Sequence, residues 1–169
     1  MALEHTPLTE NELSPAVARA VGPAAPGPAR MMAARGMLPG AGPTDLAEAV
    51  YQLSLDADAT IAEAALTSAD GLPDNILSAA LAEPMDPRVL DFFARRVTGR
   101  EAPLEAVLLN RAVHDETLIW LSRELQEREL EILAGNQQRM LRCPAIIEGI
   151  YFNKNARMST VKRLLELAD

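Results

Sequence analysis

From Thr44 onward, proline and aspartate interrupt the chain so regularly that no apolar segment has room for more than about three turns of helix. Each phrase has the same form: a cap, a short amphipathic run, a polar break. Asp45-Leu-Ala-Glu48 has the spacing of a capping box, followed by Leu46, Ala49, Val50 and Leu53 at helical intervals. Asp56 and Asp58 break that run, and Ile61, Ala62, Ala65 and Leu66 mark the next. Pro73 opens a helix with Ile76, Leu77, Ala80 and Leu81 on one face. Asp86-Pro87 is the clearest start, because aspartate accepts from an orphan amide and proline has none to leave orphaned. Val89, Leu90, Phe93 and Val97 make its stripe, ended by Gly99.

Pro103 precedes Leu104, Val107 and Leu108, and Asp115 precedes Leu118, Ile119 and Leu121. Further helices are predicted over 127–134, stopped by Gly135, over 138–142 as one turn, over 145–152 behind Pro144, and over 160–168 behind a Ser159 cap. Strict alternation is missing throughout, so no strand is expected. The starts at Pro73, Pro87, Pro103 and Asp115 are 14, 16 and 12 residues apart. Such spacing fits two-helix units of about 25 to 30 residues, within the period range of solenoid repeats. The expected fold is therefore all-α: an irregular right-handed α-solenoid, with an irregular bundle of the same helices as its competitor.

Residues 1–28 read differently. Pro7, Pro15, Gly22, Pro23, Pro26, Gly27 and Pro28 predict a flexible tail, with room for one helical turn from Pro15 to Val21 capped by Ser14. The helical repeat domain is placed at 29–169, opening on a short helix over 29–36 that ends in glycine. Glu4, Glu10 and Glu12 replace the basic start of an export signal, and no run approaches 18 apolar residues. The expectation is a cytoplasmic chain without a membrane span.

The helix–break–helix phrases Tyr51-Gln-Leu-Ser-Leu-Asp-Ala-Asp58, Leu108-Leu-Asn-Arg-Ala-Val-His-Asp-Glu116 and Met158-Ser-Thr-Val161 resemble those of alanine-rich bacterial proteins with HEAT-like or leucine-rich-variant helical repeats. The resemblance covers about Asp45 to Ala168. It implies an α-solenoid that binds other macromolecules, and it carries over no catalytic residue. His114 departs from the pattern by standing where a cap or proline suits better.

Reactive constellations are sparse. Cys143 is the one cysteine and reads as a small residue ahead of Pro144; His5 and His114 are the only histidines. That set is too small for a zinc cage or a disulfide framework. Asp56 and Asp58 lack the glycine and glutamate that a calcium loop places at its sixth and twelfth positions, where Ile61 and Thr67 stand. Glu127 and Glu131 lie one turn apart and are read as a solvated face. Phe92, Phe93, Trp120, Tyr151 and Phe152 are read as core anchors in a chain with few aromatics. Asn110, Asn136 and Asn153 each follow an apolar run; helix capping is favoured over a peptide-binding ladder. No cofactor and no enzymatic activity are expected.

Charge is distributed unevenly. From Asp45 to Pro87 there are nine acids and no Lys or Arg. From Ile132 to Leu165, Arg139, Arg142, Lys154, Arg157, Lys162 and Arg163 face only Glu148. Those six residues are the candidate partner-binding set, for another protein or for the acidic end of a second copy. A net charge of −8 argues against a general nucleic-acid coat, leaving a nucleic-acid module based on the basic C-terminal third as the alternative. The final helix adds Val161, Leu164, Leu165 and Leu167, a face that a partner could cover.

Overall fold

The computed structural model describes residues 2–169, which form twelve helices and no strand. In order these are α1 (Pro15–Val21), α2 (Gly27–Ala34), α3 (Pro43–Ser54), α4 (Ala59–Gly71), α5 (Asp74–Leu81) and α6 (Pro87–Ala94). They continue as α7 (Glu101–Leu109), α8 (Asp115–Glu124), α9 (Glu127–Ala134), α10 (Gln137–Arg142), α11 (Pro144–Tyr151) and α12 (Met158–Ala168). The all-α expectation is met.

Most starts fall where punctuation predicts. Asp58 and Asp86 accept from Thr60 N–H and Arg88 N–H at 2.9 Å, and Ser14 caps α1 through Val17 N–H. Gly36 ends the α2 turn at φ 83°, backbone that side chains with a Cβ rarely adopt. Three caps differ. Pro43, not Asp45, opens α3, so the capping box does not form; Asp45 and Glu48 instead accept from the Ser14 hydroxyl and N–H. His114 itself caps α8, its Nδ1 accepting from Glu116 N–H, so the departure noted in the sequence is a functioning cap. Ser159 lies inside α12, which starts one residue earlier without a side-chain cap.

The helices contact one another in two files. α3 packs on α5, α5 on α7, α7 on α9 and α9 on α12, while α6 packs on α8 and α8 on α11. Polar side chains tie later helices to helices about 26 to 30 residues earlier. Asp70–Arg96, Asp74–Arg100 and Asp91–Thr117 are each separated by 26 residues, and Arg157–Glu127 by 30. Asn110 Nδ2 donates to the carbonyls of Leu81 and Glu83, and Asn153 Nδ2 to those of Ser122 and Leu125. In both turns the asparagine Oδ1 accepts the N–H two residues on, at 2.8 Å. Neither asparagine has a positive φ and both are buried, so they join helices distant in sequence and are neither left-handed caps nor an open ladder. Asn110 also stands at the C-cap of α7, its N–H donating to Val107 O, and Asn136 caps the start of α10.

Because the Asn153 amide saturates two carbonyls inside the protein, Asn153→Ala is expected to cost about 1–2 kcal/mol in denaturant unfolding. A loss below about 0.5 kcal/mol would mean that water replaces the amide without penalty.

Residues 2–28, expected as a flexible tail, are seated on the helices. Leu8, Leu13, Val17 and Val21 are buried. Gln52 donates to the Leu8 carbonyl and accepts from its N–H, and Tyr51 Oη donates to Thr6 O at 2.7 Å. Arg88 reaches Thr6, Pro7 and Glu12. Proline and glycine here shape a compact wrap whose apolar residues are too widely spaced to show a helical period. Burial pushes the Tyr51 phenol up to about 12. Burial also raises the Glu48 carboxyl, against the Ser14 N–H that lowers it.

Candidate docking surface

The six predicted partner-binding residues separate into two groups. Arg139 is buried: its guanidinium donates to the carbonyls of Val113 and Arg111 and to Asp115 at 2.9 Å. Arg142 shares Asp115. Burial raises the Asp115 carboxyl, but Arg142 and Arg139 outweigh it and hold it below the ordinary aspartate range. Arg157 pairs with Glu127, and Arg163 lies 3.8 Å from Glu131, which also accepts from Thr160. Four of the six therefore reach back to earlier helices; Glu127, exposed as the sequence placed it, and half-buried Glu131 receive Arg157, Thr160 and Arg163 there. Lys154 and Lys162 are exposed and make no ion pair among the described residues.

Four of the nine acids in the acidic block find arginine partners. Asp56 pairs with Arg30, Asp70 with Arg96, Asp74 with Arg100 and Asp86 with Arg88. Arg30, Arg88, Arg96 and Arg100 all lie outside 45–87, so these four acids, in a block without Lys or Arg, each meet an arginine from beyond it.

Around Lys154 and Lys162 lies an uncovered apolar surface. In α11, Ile146, Ile147 and Ile150 point inward and Gly149 sits against Ser122 of α8. Because Ile150 and Asn153 are both turned inside, Tyr151 and Phe152 between them are left outside. They are 53% and 70% exposed, edge to face with centroids 5.0 Å apart. That corrects their reading as core anchors; Phe92 and Phe93 are buried and Trp120 half-buried. In α12, Val161 and Leu164 face inward while Met158 and Leu165 are exposed, at 83% and 44%. Pro144, Ile147, Tyr151, Leu165 and Ala168 line an almost wholly apolar groove between α11 and α12, with Glu148 at its rim.

A second polar cluster escaped sequence reasoning. Asp91, within the apolar stripe of α6, is fully buried. Its Oδ1 accepts from Thr117 Oγ1 at 2.5 Å, and its Oδ2 from His5 Nε2 at 2.6 Å and Arg95 Nε at 3.0 Å. His5 makes edge contacts with Tyr51 and Phe92, and the Arg95 guanidinium lies 4.6 Å from the Trp120 ring centroid. The cluster borders an open cleft that includes Ser54, whose hydroxyl donates to the Tyr51 carbonyl. Its chemistry is that of a clamp joining the N-terminal wrap, α6 and α8. One acid among consecutive apolar residues was the available signal.

Among the described residues no group of three or more His, Cys, Asp or Glu is placed to hold a metal ion. Among the described residues no helix is long and apolar enough to cross a membrane. The chain matches no protein-family model, no curated protein and no solved structure.

Proposed function

We propose that this chain is a non-enzymatic helical-repeat interaction module that holds a macromolecular partner on its α11–α12 end. The carrying observation is the exposed cluster of Tyr151, Phe152, Met158 and Leu165 beside the unpaired Lys154 and Lys162. Large aromatic and methionine side chains grouped in this way are typical anchors of protein interfaces. The same spacing of 24 to 31 residues in the inter-level bonds supports an irregular α-solenoid. In that architecture every level shelters its neighbour, and a level with an uncovered apolar face depends on an added partner.

A photo-crosslinking residue introduced at Phe152 tests the reading in intact cells. A discrete macromolecular adduct is expected from position 152 and not from Glu63, which is exposed on α4. Equal labelling from both positions, or none from 152, would remove the α11–α12 end from consideration. A nuclease-sensitive adduct would instead favour the nucleic-acid alternative, in which Tyr151 and Phe152 contact bases beside Lys154.

A further inference from the structure

Resting on that reading, we infer that the occupant of the α11–α12 surface is a second copy of this chain, paired about a two-fold axis through antiparallel α12 helices. The charges bordering the apolar cluster are of both signs. Lys154 and Lys162 stand against Glu148, Glu166 and Asp169, all exposed. A strongly acidic partner, an anionic lipid surface or a nucleic acid would meet repulsion from the three acids. A uniformly basic partner would meet the lysines. A surface carrying both signs in a fixed order matches a copy of itself run in the opposite direction.

That order is present along α12. Lys162 precedes Glu166 by one turn, and neither has an ion-pair partner among the described residues. Antiparallel crossing with the axis near Leu164 places Lys162 of each copy opposite Glu166 of the other, so one contact occurs twice. Leu165 of both copies then flanks the axis, and each α12 lies along the groove lined by Ile147 and Tyr151 of its mate. Phe152 and Met158, at the outer edge, lose their exposure to water.

This pairing also accounts for which cations are free. Arg139, Arg142 and Arg157 have partners within the chain and belong to its internal joints. Lys162 has no such partner among the described residues, and it sits on α12 between Met158 and Leu165 beside Arg163, which reaches Glu131 at 3.8 Å.

Sedimentation equilibrium over a wide concentration range tests the inference on the full chain. A reversible dimer is expected. Lys162→Glu and Glu166→Lys should each weaken it by about tenfold or more, since each sets like charges together at two symmetric positions. The charge-exchanged double variant Lys162→Glu/Glu166→Lys should recover most of that loss. Circular dichroism checks that every variant remains helical, and the parent protein alone decides if a variant does not. A parent that stays monomeric at high concentration overturns the inference, as does a dimer indifferent to both single changes. The crosslink at position 152 separates the two readings: an adduct of twice the chain mass supports self-pairing. An adduct with another protein overturns self-pairing and leaves the interaction module standing.

Discussion

Replacing Asp91 by alanine is expected to lower the unfolding free energy by about 3–5 kcal/mol, as removal of one member of a buried charged cluster does. The Asp91 side chain has no exposed surface and satisfies three donors from three parts of the chain. Without it, Thr117 Oγ1 has no acceptor in a buried position, and the Arg95 guanidinium over Trp120 loses its counter-charge. His5→Ala removes only one of the three donors. Its ring is 29% exposed, so its loss is expected to cost about 1 kcal/mol. Guanidinium unfolding monitored by Trp120 fluorescence and by helicity measures both. The ordering matters more than either value. If Asp91→Ala costs no more than His5→Ala, the cluster is three separate weak contacts and not a clamp. Limited proteolysis supplies an independent readout. Release of the N-terminal wrap in Asp91→Ala should expose residues 2–13 to cleavage well before the helices are cut.

Asp91 shows where sequence reasoning loses resolution. Period and punctuation locate helices well, because capping is local: Asp86-Pro87 writes α6, and Glu127 through Gly135 writes α9. They say nothing about which polar residue on an apolar face has donors waiting on another helix. Asp91 interrupts Leu90 and Phe92, and its partners stand 26 residues downstream and 86 upstream. The charge blocks teach the same lesson at larger scale. Acids crowded between Asp45 and Pro87 suggest an acidic pole, yet the packed helices bring residues 26 apart in sequence into contact. Arginines on either side of the block thus reach part of it, as they do Asp56, Asp70 and Asp74.

The candidate surface was legible in part. Lys154 and Lys162 were named for their charge, and they are the two that remain exposed and unpaired. Arg139 was named on the same ground and is buried, because its reach to Val113 O and Asp115 depends on the turn between α7 and α8. Tyr151 and Phe152 were assigned inward, since large rings normally are. Their direction follows from the phase of α11, fixed by the inward set Ile146, Ile147, Gly149 and Ile150. A glycine among the inward isoleucines of α11 was the signal that this face approaches another helix closely.

That close approach sets the remaining large effect: Gly149→Val is expected to destabilise by about 3 kcal/mol, the upper part of the usual range for overpacking. Glycine inside a helix is ordinarily a weakness of about 1 kcal/mol relative to alanine, so helix propensity alone predicts a gain on adding a side chain. Packing reverses the sign. A Cβ on Gly149 would stand 1.7 Å from Ser122 Oγ, 2.8 Å from Ser122 Cβ and 3.5 Å from Arg123 Cγ. Rotating the hydroxyl away relieves the first contact and leaves the second, so α11 must move off α8. In the Gly149→Ala background, Ser122→Gly removes both obstructing atoms and should return part of the lost stability, although alone it weakens α8. Ser122→Ala keeps the Cβ and should rescue less. Thermal unfolding of the four proteins in each cycle measures the coupling. A Gly149→Val protein as stable as the parent would show that α11 and α8 are not in contact here. A displaced α11 also carries Tyr151 and Phe152 out of register with Met158 and Leu165. Gly149→Ala, the milder change, should therefore weaken self-association by a larger factor than its loss of fold stability implies.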